Sequence, residues 1–202
     1  MPAKTRIYLL RHGQIEQSEP RRFIGQRDLP LTSDGEAQAG EMAKILATIR
    51  FSRIFSSPLI RAVQTAAIIA AGQTQPVTTI PELAEISLGR WEGLSVEEVR
   101  LRFPGQYEQR GNDLAHFRPP DGESFTDLAR RAFPCLTRLA DNNPGPLLIV
   151  AHSGINRVLL SKIQNLPLAD LLRIDQDYCG LNIISRENGC WRVDAINRKS
   201  LI

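Results

Sequence analysis

Cysteine is scarce: the chain of 202 residues has three, an odd number. Cys135, Cys179 and Cys190 show no C-x-x-C spacing, which argues against a disulfide framework or a thiolate zinc site and favours a reducing compartment. No apolar stretch nears the roughly 20 residues that a membrane-spanning helix needs. The N-terminal MPAKTRIYLL has too short an apolar run for a signal peptide. Internal repeats, low-complexity tracts and blocks of like charge are all missing. The surplus of positive charge is small, +3, and the Lys and Arg residues are scattered. That balance suits an anionic ligand but lacks the basic, aromatic-interleaved stripe of a nucleic-acid binder. These absences predict a cytoplasmic protein that engages neither nucleic acid nor membrane.

What is present alternates between strand-like and helix-like segments. Arg6–Leu10 and Leu147–Ala151 are short apolar runs, the second the most apolar of the chain, and are read as buried strands. Arg53–Phe55 and Val77–Ile80 read as two further strands. Leu181–Ser185 and Cys190–Ala195 read as a hairpin across Glu187-Asn188-Gly189. Ser33-Asp34-Gly35-Glu36 fits a capping box that opens a helix to about Ile49. Ser57-Pro58 reads as an N-cap before the apolar helix Leu59–Ala71. Ser95–Glu98 opens a short helix, Ser124–Ala140 is helical, and another helix runs from His152-Ser153-Gly154 to about Gln164. Gln14–Pro30, Pro81–Gly93 and Phe103–Gly122 read as loops. The pattern predicts an α/β fold, a three-layer αβα sandwich with a mostly parallel central sheet. It is read as a single domain over residues 1–202, with a small inserted helical and loop region at about 81–122.

Three titratable or charged positions sit where strands end. His12 follows the first strand, Arg61 lies in the first turn of the helix after the second, and His152 follows the most apolar strand. Ligands of open α/β sheets bind outside the carboxyl ends of the strands, so these residues are expected to meet. Arg61 is a cation where the helix dipole opposes one, which makes sense if an anion sits there too. Ser153 and Gly154 open a helix whose free N–H groups favour an oxyanion. Arg11 beside His12 can bond a phosphate bidentately, and imidazole is a metal-free nucleophile near neutral pH. Glu85 is the candidate general acid, with Glu82 and Glu92 as alternatives. Gln14–Gln26 and Phe103–Arg118 are expected at the rim. Within them Tyr107, His116 and Arg118 are read first as surface loop residues and second as contacts to a leaving group. Arg110, with Arg100 and Arg102 just before, is read first as a solvated face and second as a positive field that steers anions.

Leu10-Arg11-His12-Gly13 resembles the signature of the histidine phosphatase superfamily, in the branch that includes phosphoglycerate mutase. Further segments resemble it in order. They are Pro30-Leu31-Thr32 with Gly35, Ser56-Ser57-Pro58 with Arg61-Ala62 and Thr65, Glu85 with Gly89-x-Trp91-Glu92-Gly93, and Val150-Ala151-His152-Ser153-Gly154. The short chain and Gly122-Glu123-Ser124-Phe125 are similar to the α-ribazole phosphatase and broad-specificity members. The resemblance implies His12 as the phosphorylated nucleophile, with Glu85 as proton donor. Arg11, Arg61 and His152 would bind the transferring group, joined by Ser153 at the helix entry. It implies no metal and no organic cofactor. Gln14, Ser18, Ile24 and Gly25 would form the substrate rim, although Ser18 stands where many members carry Asn, Ile24 where they often carry Ser or Thr, and Gln14 where Glu is commoner.

The expected activity is hydrolysis of a small-molecule phosphate ester through phosphohistidine, by a chain working alone or as a homodimer. Two alternatives remain. One is a phosphoglycerate mutase, disfavoured because Leu94–Asp121 is short and lacks an adjacent arginine pair for a substrate carboxylate. The other is an inactive domain that binds phosphorylated partners.

Overall fold

A computed structural model describes residues 5–201. Met1–Lys4, part of the segment judged too short for a signal peptide, and Ile202 lie outside the described residues. Six strands form one sheet: β1 (Thr5–Arg11), β2 (Arg53–Ser56), β3 (Val77–Thr79), β4 (Gly145–Ala151), β5 (Leu181–Glu187) and β6 (Cys190–Arg198). Their order is β3-β2-β4-β1-β5-β6. The β1–β4, β2–β4 and β2–β3 pairings are parallel, and β5 runs antiparallel between β1 and β6.

The strict alternation of a strand explains the layers. Along β1, Ile7 and Leu9 point to one face, and Tyr8 and Leu10 to the other. Along β4, Leu147 and Ile149 match the first pair, and Leu148 and Val150 the second. Both faces are apolar, so both must be covered. The first face packs on α5 (Phe125–Asn142) and α6 (Ser153–Gln164), through Leu128, Leu136, Ile155 and Leu159. The second packs on α1 (Ser33–Leu46) and α2 (Ile60–Ala70), through Met42, Leu46, Ala66 and Ile69. Each fully buried Leu or Ile contributes about 1.5–3 kcal/mol by leaving water.

Several boundaries differ from expectation. Thr32, one residue earlier than read, caps α1 by accepting from the Gly35 N–H at 3.1 Å. Gly35 then falls at the box's third position and has no side chain to answer. Capping boxes do form at Ser95 with Glu98, before α3 (Val96–Arg102), and at Ser124 with Asp127, before α5. The segment Phe103–Gly122, read as irregular, contains α4 (Gln106–Asn112), a short helix with no buried residue. The hairpin turn is as read, with Asn188 at φ 52 and Gly189 at φ 78, the paired positive angles of a two-residue hairpin loop.

Candidate active site

β1, β2 and β4 are mutually parallel and adjacent, so His12, Ser57 and His152 leave the sheet at one edge. The ladder continues one step past the strands. The His12 N–H donates to the Ala151 carbonyl at 3.0 Å, and the Ser57 N–H to the Val150 carbonyl at 2.9 Å. This registers the two imidazoles side by side, with ring centroids 5.1 Å apart at 60°.

His12 Nδ1 lies 2.7 Å from the Gly13 carbonyl oxygen. A carbonyl only accepts, so Nδ1 carries the ring proton and the lone pair is on Nε2. Gly13 is itself held by its N–H donating to Thr65 Oγ1 on α2, at 3.0 Å. His152 Nε2 is 2.7 Å from Ser57 Oγ, and Ser57 Oγ accepts from the Leu59 N–H at 3.2 Å. The hydroxyl proton is thus free for Nε2, which leaves the His152 ring proton on Nδ1. Ser57 therefore lies before the cap position it was read to fill. The N-cap of α2 is Leu59.

Arg61 turns back under the loop. Its Nη1 donates to the Arg27 carbonyl at 2.7 Å and its Nη2 to the Gly25 carbonyl at 2.8 Å. Arg11 Nη1 donates to the Gln176 carbonyl at 2.6 Å, and its guanidinium lies 4.0 Å from the Tyr178 ring centroid. After these bonds are made, Arg11 Nε, Arg61 Nε and His152 Nδ1 are buried with no partner among the described residues. Buried donors seldom stay unpaired, and three in one site suit an anion with several acceptor oxygens.

The helix ends are filled from within. The Ile60 N–H at the start of α2 donates to Asp28 Oδ1 at 2.6 Å. The Gly154 N–H at the start of α6 donates to Glu85 Oε2 at 2.9 Å, and Glu85 Oε1 accepts from the Ile86 N–H at 2.9 Å. The α6 terminus, expected to face the ligand directly, thus holds the candidate acid through Gly154, while Ser153 lines the cavity. Glu82 pairs with Arg138 at 2.8 Å, and Glu92 Oε1 accepts from the Gln26 and Leu88 N–H groups. Both alternative acids therefore have structural partners.

His12, His152 and Arg61 are at most 3 % exposed and Glu85 is 9 % exposed, so charge at the site is shielded poorly by water. Burial pushes the His12 imidazole well below its ordinary pKa, and the Arg11 and Arg61 cations push the same way. Burial does the same to His152, followed by His12, Arg61 and Arg11. Both rings are neutral near pH 7, which leaves the His12 Nε2 lone pair available.

The cavity above them has a volume of about 280 Å³. Of the expected rim, Ile24 and Gly25 line it. Ser18 lines an adjoining pocket with Gln17, Arg21 and Arg22. Gln14 lines neither: its N–H donates to Gln38 Oε1 at 3.0 Å and its side chain faces Gln38, beside a close backbone approach of Gly35 to Gly13 and Gln14. Arg118 pairs with Asp127 and His116 with Asp113, both away from the cavity. Tyr107 packs against Phe23 and Trp91. Sequence reasoning missed Arg157 and Tyr178, which line the cavity; Arg22 and Arg110 line it too and fall within the two segments expected at the rim, although Arg110 was read first as part of a solvated face. Ser153 and Arg157, four apart on α6, share a helix face, and that spacing was a usable signal.

The histidine phosphatase superfamily (branch 1) matches residues 7–199. The chain belongs to that superfamily. Among its relatives, the adenosylcobalamin/alpha-ribazole phosphatase of Escherichia coli is 28 % identical over 96 % of this chain and 91 % of its own length. The glucosyl-3-phosphoglycerate phosphatase of Mycolicibacterium vanbaalenii is 34 % identical over 81 % of this chain and 76 % of its own. The crystal structure of the alpha-ribazole phosphatase from Shigella flexneri superposes with a TM-score of 0.89 at 26 % identity, covering 98 % of each chain. The chain is an enzyme of this family, a phosphatase like these relatives. Among the described residues, no helix is long and apolar enough to cross a membrane.

Proposed function

We propose that this chain hydrolyses a small phosphate monoester in two steps, through phosphohistidine on His12. The reading is carried by three buried donors without partners among the described residues, on Arg11, Arg61 and His152, gathered around a neutral imidazole whose Nε2 carries the lone pair. In the first step Nε2 bonds to phosphorus and the ester P–O bond breaks, while Glu85 gives its proton to the departing oxygen. In the second step Glu85 takes a proton from water, the water oxygen bonds to phosphorus, and the P–N bond breaks to release inorganic phosphate. Arg11, Arg61, the His152 Nδ1–H and the Ser153 edge of α6 hold the equatorial oxygens throughout. Phosphoryl transfer asks for little more than such positioning and neutralisation.

The two relatives are named as phosphatases for adenosylcobalamin/alpha-ribazole and for glucosyl-3-phosphoglycerate, which supports a metabolite ester as substrate. Free thiols at Cys135, Cys179 and Cys190 are in keeping with work in the cytoplasm.

The test is phosphate release from sugar, nucleotide, glycerate and ribazole phosphates by the wild type and His12→Ala. A base-stable, acid-labile phosphoryl adduct is expected in the wild type and absent in the variant. Neither adduct nor turnover on any ester would leave only a phospho-partner-binding role. Interconversion of the two monophosphoglycerates faster than phosphate release would make the enzyme a mutase.

A further inference from the structure

The cavity carries more positive charge than one phosphoryl group uses. Besides Arg11 and Arg61, three arginines line it: Arg22, Arg110 and Arg157. Arg22 is neutralised by Glu98 at 2.5 Å and donates to the Gly93 carbonyl at 2.7 Å. Arg110, on α4, is half-buried and makes no hydrogen bond or ion pair among the described residues. Arg157, on α6, is also half-buried, and its single bond runs from Nε to the Ile174 carbonyl at 2.8 Å.

Burial opposes the charge on both guanidiniums. They nonetheless stay cationic, because arginine does not give up its proton in proteins. Among the described residues neither is in ion-pair contact with a carboxylate, although Glu85 and Asp175 support the charge of Arg157 from farther off, and half-buried cations so placed are costly unless an anion joins them. They come from segments far apart in the chain yet open on the same small cavity. Phe23, Ile24, Leu88, Phe125 and Leu172 make the remaining wall apolar. That wall gives a polar but uncharged leaving group little to hold. The phosphoryl end is already served by Arg11, Arg61 and His152, so Arg110 and Arg157 are left for the other end of the substrate.

We propose that the leaving group of the substrate carries a second anionic group, a carboxylate or another phosphate, received by Arg110 and Arg157. This rests on the phosphatase reading above and narrows its substrate class. It sets this chain apart from a phosphatase that releases an uncharged alcohol. Among the described residues Glu85 is the one acidic residue lining the cavity; its two oxygens accept from the Ile86 and Gly154 N–H groups, and its charge reaches Arg157 without forming an ion pair.

Matched esters test this. 3-Phosphoglycerate differs from glycerol 3-phosphate by a carboxylate, and fructose 1,6-bisphosphate from fructose 1-phosphate by a phosphate. The ratio of kcat/KM for phosphate release within each pair is the measurement. The wild type is expected to favour the charged member of at least one pair by about 10- to 100-fold, the size of a charge-assisted contact. The pair that shows the preference identifies the second anion. Arg110→Gln and Arg157→Gln should each cut that ratio several-fold, and Arg110→Lys should keep most of it, because charge and not shape is being read. Since Arg157 also anchors the Ile174 carbonyl, Arg110→Gln keeps the test valid if Arg157→Gln folds poorly. Ratios near one in the wild type, or ratios unchanged in Arg110→Gln, overturn the second-anion subsite while leaving the phosphatase reading intact. No phosphate release from any of the four esters, with no adduct on His12, overturns both.

Discussion

Acid should destabilise the ligand-free protein through its two active-site imidazoles, and the size of the effect follows from their burial. Free histidine titrates near pH 6.5. In the folded chain burial, reinforced by Arg11 and Arg61, holds both His12 and His152 well below that value. As pH falls through about 6.5, the unfolded chain takes up two protons that the folded chain refuses. The unfolded state then binds more protons, so stability falls with falling pH, by about 1.4 kcal/mol per unit for each imidazole. Between pH 8 and pH 5.5 the loss amounts to about 3 kcal/mol if both rings stay neutral. That is a large share of the roughly 5–15 kcal/mol that holds a domain together. Urea denaturation at the two pH values measures it, and stopping at pH 5.5 keeps clear of most carboxylate titration. The double variant His12→Gln/His152→Gln should lose most of the difference, since all other groups are shared. Saturating vanadate should also flatten the wild-type dependence, because an anion among the rings stabilises their protonated forms. A wild type as sensitive as the double variant, or one more stable at pH 5.5 than at pH 8, would refute the account of neutral, buried imidazoles.

Three further outcomes are expected. Glu85→Gln should slow alkyl phosphates by about 100- to 10,000-fold but aryl phosphates with good leaving groups far less, because only the former need protonation; equal losses would remove Glu85 from the role of acid. A Cβ at residue 154 would stand in hard contact with Glu85 Oε1. Gly154→Ala should therefore displace the carboxylate and lower kcat by about 100-fold, with circular dichroism unchanged, and an unaltered kcat would mean that the contact does not position Glu85. Chelators such as EDTA should leave turnover unchanged, and strong inhibition restored by added metal would contradict a purely side-chain phosphate site.

How much the sequence showed depended on the range of the interaction concerned. β1 and β4 were legible because runs such as Leu147–Ala151, apolar on both faces, need cover on both sides, and that need is written locally. The capping box at Ser95 is likewise local, closed within Ser95–Glu98. The hydroxyl of Ser57 was misread because its partner, His152, lies 95 residues on. The same distance problem hid Asp28 at the start of α2 and Glu85 at the start of α6. α4 was invisible for another reason: Gln106–Asn112 buries nothing, so it has no apolar stripe to read. Arg110 lay in a segment expected at the rim, but it could be told from a solvated arginine only once that helix had been placed.

His12 is stitched into the sheet's hydrogen-bond ladder on both sides: its N–H donates to Ala151, and its carbonyl accepts from the Cys179 N–H at 3.2 Å. An amide so enclosed exchanges with solvent only when the central strands come apart. The reacting nitrogen therefore rides on some of the least yielding backbone in the molecule. Adaptation to a new ester falls to the segments around Phe23 and Arg110, which can change without disturbing the atom that takes the phosphoryl group.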